Sequence, residues 1–153
     1  MIPVGHLLMK SKQIHLTLAN DLKALPSLCQ GLERVLSPLG LDKRVRYQLE
    51  VAIEEVFTNI VAYAFSDNTP HAIEIRLNLE KEAITIRFED HGQAFNPLST
   101  AAPDLSKPLC DRHEGGLGIH MIKTMMDEIR YQRQGGKNIL ILKKKRSLFS
   151  KKE

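Results

Sequence analysis

From Leu49 to Phe65 the chain runs Leu-Glu-Val-Ala-Ile-Glu-Glu-Val-Phe-Thr-Asn-Ile-Val-Ala-Tyr-Ala-Phe, without glycine or proline. A run of this length and spacing is satisfied by a helix and not by a strand. At about 100° per residue, Leu49, Ile53, Val56, Phe57, Ile60 and Ala64 form one broad apolar face that must be buried. Glu50 and Glu54 fall on another side and are expected to be solvated. Glu55 and Asn59 share a third line, flanked by the small Ala52 and Ala62. A carboxylate and an amide in apolar surroundings are costly unless something polar meets them, and the small neighbours leave room for a ligand to do so.

The 153 residues suit one domain with a single core, and 42% hydrophobic and 26% charged residues are ordinary for a globular protein. The net charge of +4 does not imply nucleic acid, because Lys143, Lys144, Lys145, Arg146, Lys151 and Lys152 crowd the last eleven positions. The expected division is a domain over residues 1–145 and a basic, solvated tail over 146–153. Cys29 and Cys110 match no metal or redox spacing. With no leader-like start and no apolar run of membrane-spanning length, the expected location is the cytoplasm. The histidines form no metal-ligand spacing, and no Ser/His/Asp or Cys/His set stands out.

Alternation at Ile14, Leu16 and Leu18 predicts a strand over Gln13–Ala19. Asn20 or Asp21 caps a helix towards Leu36 that Ser37-Pro38-Leu39-Gly40 ends, and Asp42 caps the long helix. Two strands, His71–Leu79 and Ala83–Glu89, form a hairpin through Glu80-Lys81-Glu82. Periodicity fails from His91 to His113, a loop long enough to imply function or mobility. Gly116-Leu117-Gly118 opens a helix with Ile119, Ile122, Met126 and Ile129 at helical spacing. Strands around Glu128–Arg133 and Asn138–Lys143 close the chain through Gln134-Gly135-Gly136-Lys137. This order predicts an α+β two-layer sandwich, a mixed, mostly antiparallel sheet with helices on one face.

Three polar sites in this order can converge. Glu55 and Asn59 are the first. Asp90-His91-Gly92 is the second, where a strand-end carboxylate can accept from a ligand amino group and glycine permits close approach. Glu114-Gly115-Gly116-Leu117-Gly118 is the third, where free N–H groups at a helix N-terminus attract phosphate.

The segments Glu54–Asn59, Asp90–Pro97 and Asp111–Ile119 resemble the N, G1 and G2 boxes of the GHKL (HATPase_c-type) ATPase superfamily, whose fold is the Bergerat sandwich. The branch most similar is the anti-sigma factor serine/threonine kinases. The likeness covers roughly Gln13 to Lys145, and Met126–Ile129 and Gly136–Asn138 share it. It implies ATP and Mg²⁺ as cofactors, with Asn59 as the metal ligand. Glu55 would be the base for an attacking hydroxyl, and Arg112 would stabilise charge during transfer. Asp90 would hold the adenine amino group, with Gly92 beside the ring. Gly116 and Gly118 would line the triphosphate, with Phe95, Gly115 and Leu117 counted in the nucleotide set and Asn96–Glu114 as the lid.

The function so implied is an ATP-dependent protein serine/threonine kinase acting as an anti-sigma factor. It would phosphorylate a small STAS-type anti-anti-sigma protein and sequester a sigma factor or similar regulator, with a homodimer possible and no direct nucleic-acid contact. The alternative is a nucleotide-binding interaction module without transfer activity, for which loss of Glu55 would be expected. Ala94 replaces a glycine frequent in the superfamily, and Glu54 stands where the branch is commonly small. No phosphoacceptor-histidine helix precedes the boxes, so a complete histidine kinase is not expected.

Overall fold

The computed structural model describes residues 12–99 and 116–146. Most of the expected lid and residues 147–153 of the expected tail lie outside them. Strand β1 (Lys12–Ala19) leads into a 3₁₀ turn at Leu22–Ala24 and helix α1 (Leu25–Leu36). A second 3₁₀ turn, Ser37–Leu39, precedes helix α2 (Lys43–Tyr63). Hairpin β2 (Ala72–Leu79) and β3 (Ala83–Asp90) follows, then a 3₁₀ turn at Pro97–Ser99, helix α3 (Gly116–Met125), and hairpin β4 (Glu128–Gln134) and β5 (Lys137–Lys145).

The strands form one sheet in the order β1-β2-β3-β5-β4, and every neighbouring pair is antiparallel. Among the described strands the sheet is therefore not mixed. Register aligns Leu16, Ile75, Phe88, Leu140 and Tyr131 in one row, and Ile14, Leu77, Ile86, Leu142 and Ile129 in the next. These rows share one sheet face and join the buried residues of all three helices in a single hydrophobic cluster. The expected face of α2 is what it buries: Leu49, Ile53, Val56, Phe57, Ile60 and Ala64 are all in this core.

Local differences have physical causes. Asp21 caps the 3₁₀ turn by accepting from the Lys23 N–H, and α1 begins only at Leu25, because Pro26 lacks an N–H and fits a first turn. Asp42 caps α2 through the Arg44 N–H at 2.8 Å. Ile129 belongs to β4, opposite Leu142, and not to the helix. There the chain leaves α3 to pair with β5, and the Lys144 ammonium hydrogen-bonds the Met125 carbonyl at the helix C-terminus. Arg146, the first residue of the expected tail, donates to the Glu80 and Leu39 carbonyls.

Glu50 and Glu54 are half-buried, not solvated. Glu50 pairs with Arg46, and Glu54 accepts the Cys29 thiol at 2.9 Å. That hydrogen bond, with burial and the charges of Glu54 and Glu50, pushes the Cys29 thiol up to about 11.

Candidate functional site

Asn59 is 6% exposed, inside a helix that asparagine does not favour. Its Nδ2 donates to the Glu55 backbone carbonyl at 2.7 Å, closing the i−4 step of α2. The amide nitrogen is thereby committed inward, and Oδ1 has no partner among the described residues. The Glu55 carboxylate likewise has neither a hydrogen bond nor an ion pair among the described residues. It rests against Gly118 in the first turn of α3: a Cβ there would lie 2.3 Å from Glu55 Oε2 and 3.1 Å from Cδ. Only glycine lets α3 approach the carboxylate so closely. Of the small residues flanking the pair, Ala52 is fully buried in the core. Ala62 is exposed; the small residue that meets the site is instead Ala64 of the apolar face, whose carbonyl would sit 2.4 Å from a Cβ on Gly92.

Asp90 ends β3 and is 3% exposed. Its Oδ1 accepts from the Gly92 N–H and from Asn138 Nδ2, each at 2.9 Å, which leaves Oδ2 to the cleft. The following segment is held on both sides. The Gln93 N–H donates to the Ala64 carbonyl at 2.8 Å, and Arg133 donates to the Gly92 carbonyl at 2.7 Å. Phe95 is brought against Tyr63 of α2, their ring centroids 5.9 Å apart.

Asn59, Asp90 and Phe95 line one cleft, open to solvent. Apolar side chains such as Ile60, Phe88 and Leu140 form much of its wall, with a few convergent polar groups. Asn59 of the first sequence site and Asp90 of the second therefore share this cleft. The third meets them through Gly118, which the Glu55 carboxylate touches. Gly116 and Leu117 contribute the first turn of α3. Arg112, Gly115 and the side chain of Leu117 lie outside the described residues.

Asn138 and Tyr131 also line the cleft, and neither was singled out as a site residue from the sequence. A signal existed. Asn138 occupies the core-facing alternation of β5 that Leu140 and Leu142 continue, so a polar residue there interrupts an apolar row.

A family model described as the histidine kinase-like ATPase domain matches residues 18–144. The chain belongs to this family. Serine/threonine-protein kinase BtrW of Bordetella bronchiseptica is 32% identical over 99 residues, covering 65% of this chain and 70% of the relative. Serine-protein kinase RsbW of Oceanobacillus iheyensis is 28% identical over 116 residues, 73% of each chain. These relatives put the histidine kinase-like ATPase domain described here in a protein serine/threonine kinase branch. The crystal structure of the RsbU and RsbW domains of Rv1364c from Mycobacterium tuberculosis shares the fold. Its TM-score is 0.63 at 17% identity, over 87% of this chain and 31% of that one. Family membership makes ATP the ligand of the domain. No helix among the described residues is long and apolar enough to cross a membrane.

Proposed function

We propose that the chain is an ATP-dependent serine/threonine kinase whose cleft between α2, β3 and α3 holds Mg-ATP, and that it acts as an anti-sigma factor. The carrying observation is a set of acceptor oxygens without a partner among the described residues: Asn59 Oδ1 and Asp90 Oδ2 in the cleft, and the Glu55 carboxylate against Gly118. Buried or half-buried oxygens without protein partners fit a ligand that brings donors and a cation. Asp90 Oδ2 suits the exocyclic amino group of adenine, above an apolar wall suited to the ring.

Asn59 Oδ1 is a neutral oxygen of the kind a hard cation takes. Magnesium, when bound, would supply positive charge that neutralises the phosphates. Glu55 accepts the proton of the attacking serine or threonine hydroxyl as its oxygen bonds to the γ-phosphorus and ADP leaves. Main-chain N–H groups in the first turn of α3 face the phosphates, with Arg112 stabilising their charge. Most of the rate comes from positioning and electrostatics.

The names of the relatives support the serine or threonine acceptor. A STAS-type protein as substrate, and a sigma factor or similar regulator as the sequestered partner, rest on the likeness of the boxes to the anti-sigma branch. The test of the site is calorimetric titration of Mg-ATP into the parent and Asn59→Ala. The parent binds, and the variant loses about tenfold or more with Mg²⁺ present and much less without it. Unchanged affinity of Asn59→Ala with Mg²⁺ overturns the metal assignment, and no binding by the parent overturns the site.

A further inference from the structure

Asn138 is 5% exposed and joins four groups of the purine end of the cleft. Its Nδ2 donates to Asp90 Oδ1 at 2.9 Å and to the Gln93 carbonyl at 2.8 Å. Its Oδ1 accepts from the Tyr131 hydroxyl at 2.5 Å and from the Phe95 N–H at 3.3 Å. The amide fits in one orientation only. Turned over, it would set an oxygen against two oxygens and an N–H against the Phe95 N–H. Every donor and acceptor of this side chain is then used inside the protein, so Asn138 acts on a ligand through the groups it holds, Asp90 foremost.

We infer that Asn138, with Tyr131 behind it, is the positioning residue that makes the site select a 6-amino purine over a 6-oxo purine. The inference rests on the nucleotide reading of the cleft. Asn138 and the Gly92 N–H pin Oδ1 of Asp90, so the carboxylate presents Oδ2 and cannot swing aside. A fixed acceptor bonds an exocyclic amino group and repels a carbonyl oxygen at the same ring position. A site built to pair with one donor rejects the analogue that lacks it far more strongly than shape alone allows. Releasing Oδ1 lets the carboxylate rotate, and the penalty on the 6-oxo ring falls with it. Tyr131→Phe removes one of the two donors that orient the Asn138 amide, so it acts in the same direction and more weakly.

The experiment is calorimetric titration of Mg-ADP and Mg-IDP into the full chain, as parent, Asn138→Ala and Tyr131→Phe. The parent prefers ADP. In Asn138→Ala the ADP-to-IDP affinity ratio falls about tenfold or more, as ADP weakens and the penalty on IDP is relieved. In Tyr131→Phe, which keeps the ring and its packing, the ratio falls by a smaller factor of the same sign. A merely structural role would weaken both nucleotides equally, and an unchanged ratio in the variants overturns the inference. If Asn138→Ala does not fold, the Tyr131→Phe ratio decides alone. Parent binding of ADP with no preference overturns the inference but leaves the nucleotide site standing. Parent binding of neither overturns both.

Discussion

Gly118→Ala separates the catalytic geometry proposed for Glu55 from the fold. The added Cβ would lie 2.3 Å from Glu55 Oε2, and ordinary van der Waals contact begins at 3.4 Å. The carboxylate must therefore retreat by about 1 Å, a misplacement that can cost a reaction roughly 100-fold. The atom displaced is the far end of a flexible side chain, so packing has little to lose. Alanine is also favoured over glycine within a helix by about 1 kcal/mol. The variant should unfold at the same urea concentration as the parent or slightly higher, while its transfer rate drops about 100-fold. Mg-ADP affinity should change by less than about threefold, because the new methyl points at Glu55 and not into the cleft. Stopped or radiolabelled transfer under saturating ATP, beside a urea titration and calorimetry, reads all three. A transfer rate within about threefold of the parent would refute the role of Glu55. So would a loss of nucleotide affinity as large as the loss of rate.

Gly92→Ala behaves differently, since its Cβ would meet the backbone of Ala64 at 2.4 Å and disturb the bond from the Gln93 N–H to that carbonyl. A loss of about 3 kcal/mol in urea-measured stability is expected. Burial would raise the Glu89 carboxyl, but hydrogen bonds from Lys137 and Arg87 and the charges of Arg87 and Arg76 outweigh it and hold it below its ordinary value of 4.5. Its contribution to stability is therefore complete above that ordinary value and is lost as pH falls through the lower folded value. Glu89→Gln should flatten the loss of stability expected on acidification below the ordinary carboxyl value of 4.5 in urea titrations. Cys29, raised to about 11, should alkylate far more slowly at neutral pH than a free thiol, and Glu54→Gln should speed it. Mass spectrometry of the Cys29 peptide over time checks this.

The core was legible because its signals are local. The apolar face of α2, the β2–β3 hairpin and the capping residues Asp21 and Asp42 each follow from neighbours in sequence. The places of Glu55, Asn59, Asp90 and Gly92 around one region were foreshadowed too, as polar or small residues where apolar periodicity breaks, and their roles stay proposals. What escaped depends on register between distant segments. Glu54 looks solvated until α1 brings Cys29 beside it. Glu89 becomes a buried carboxylate only when β2 and β5 supply Arg76 and Lys137. Asn138 gains its meaning from the pairing that sets it opposite Asp90. The Glu55–Gly118 contact likewise needs α3 to be laid against α2. Ile129 shows the converse, a helical spacing that strand pairing overrides.

The transfer reaction tests the account most directly. Radiolabelled γ-phosphate from saturating Mg-ATP is followed onto a STAS-type protein for the parent and for Glu55→Ala. The parent should place label on a serine or threonine, and the variant should transfer at about 1% of that rate or less while it still binds Mg-ATP. Equal labelling by the two proteins would contradict this.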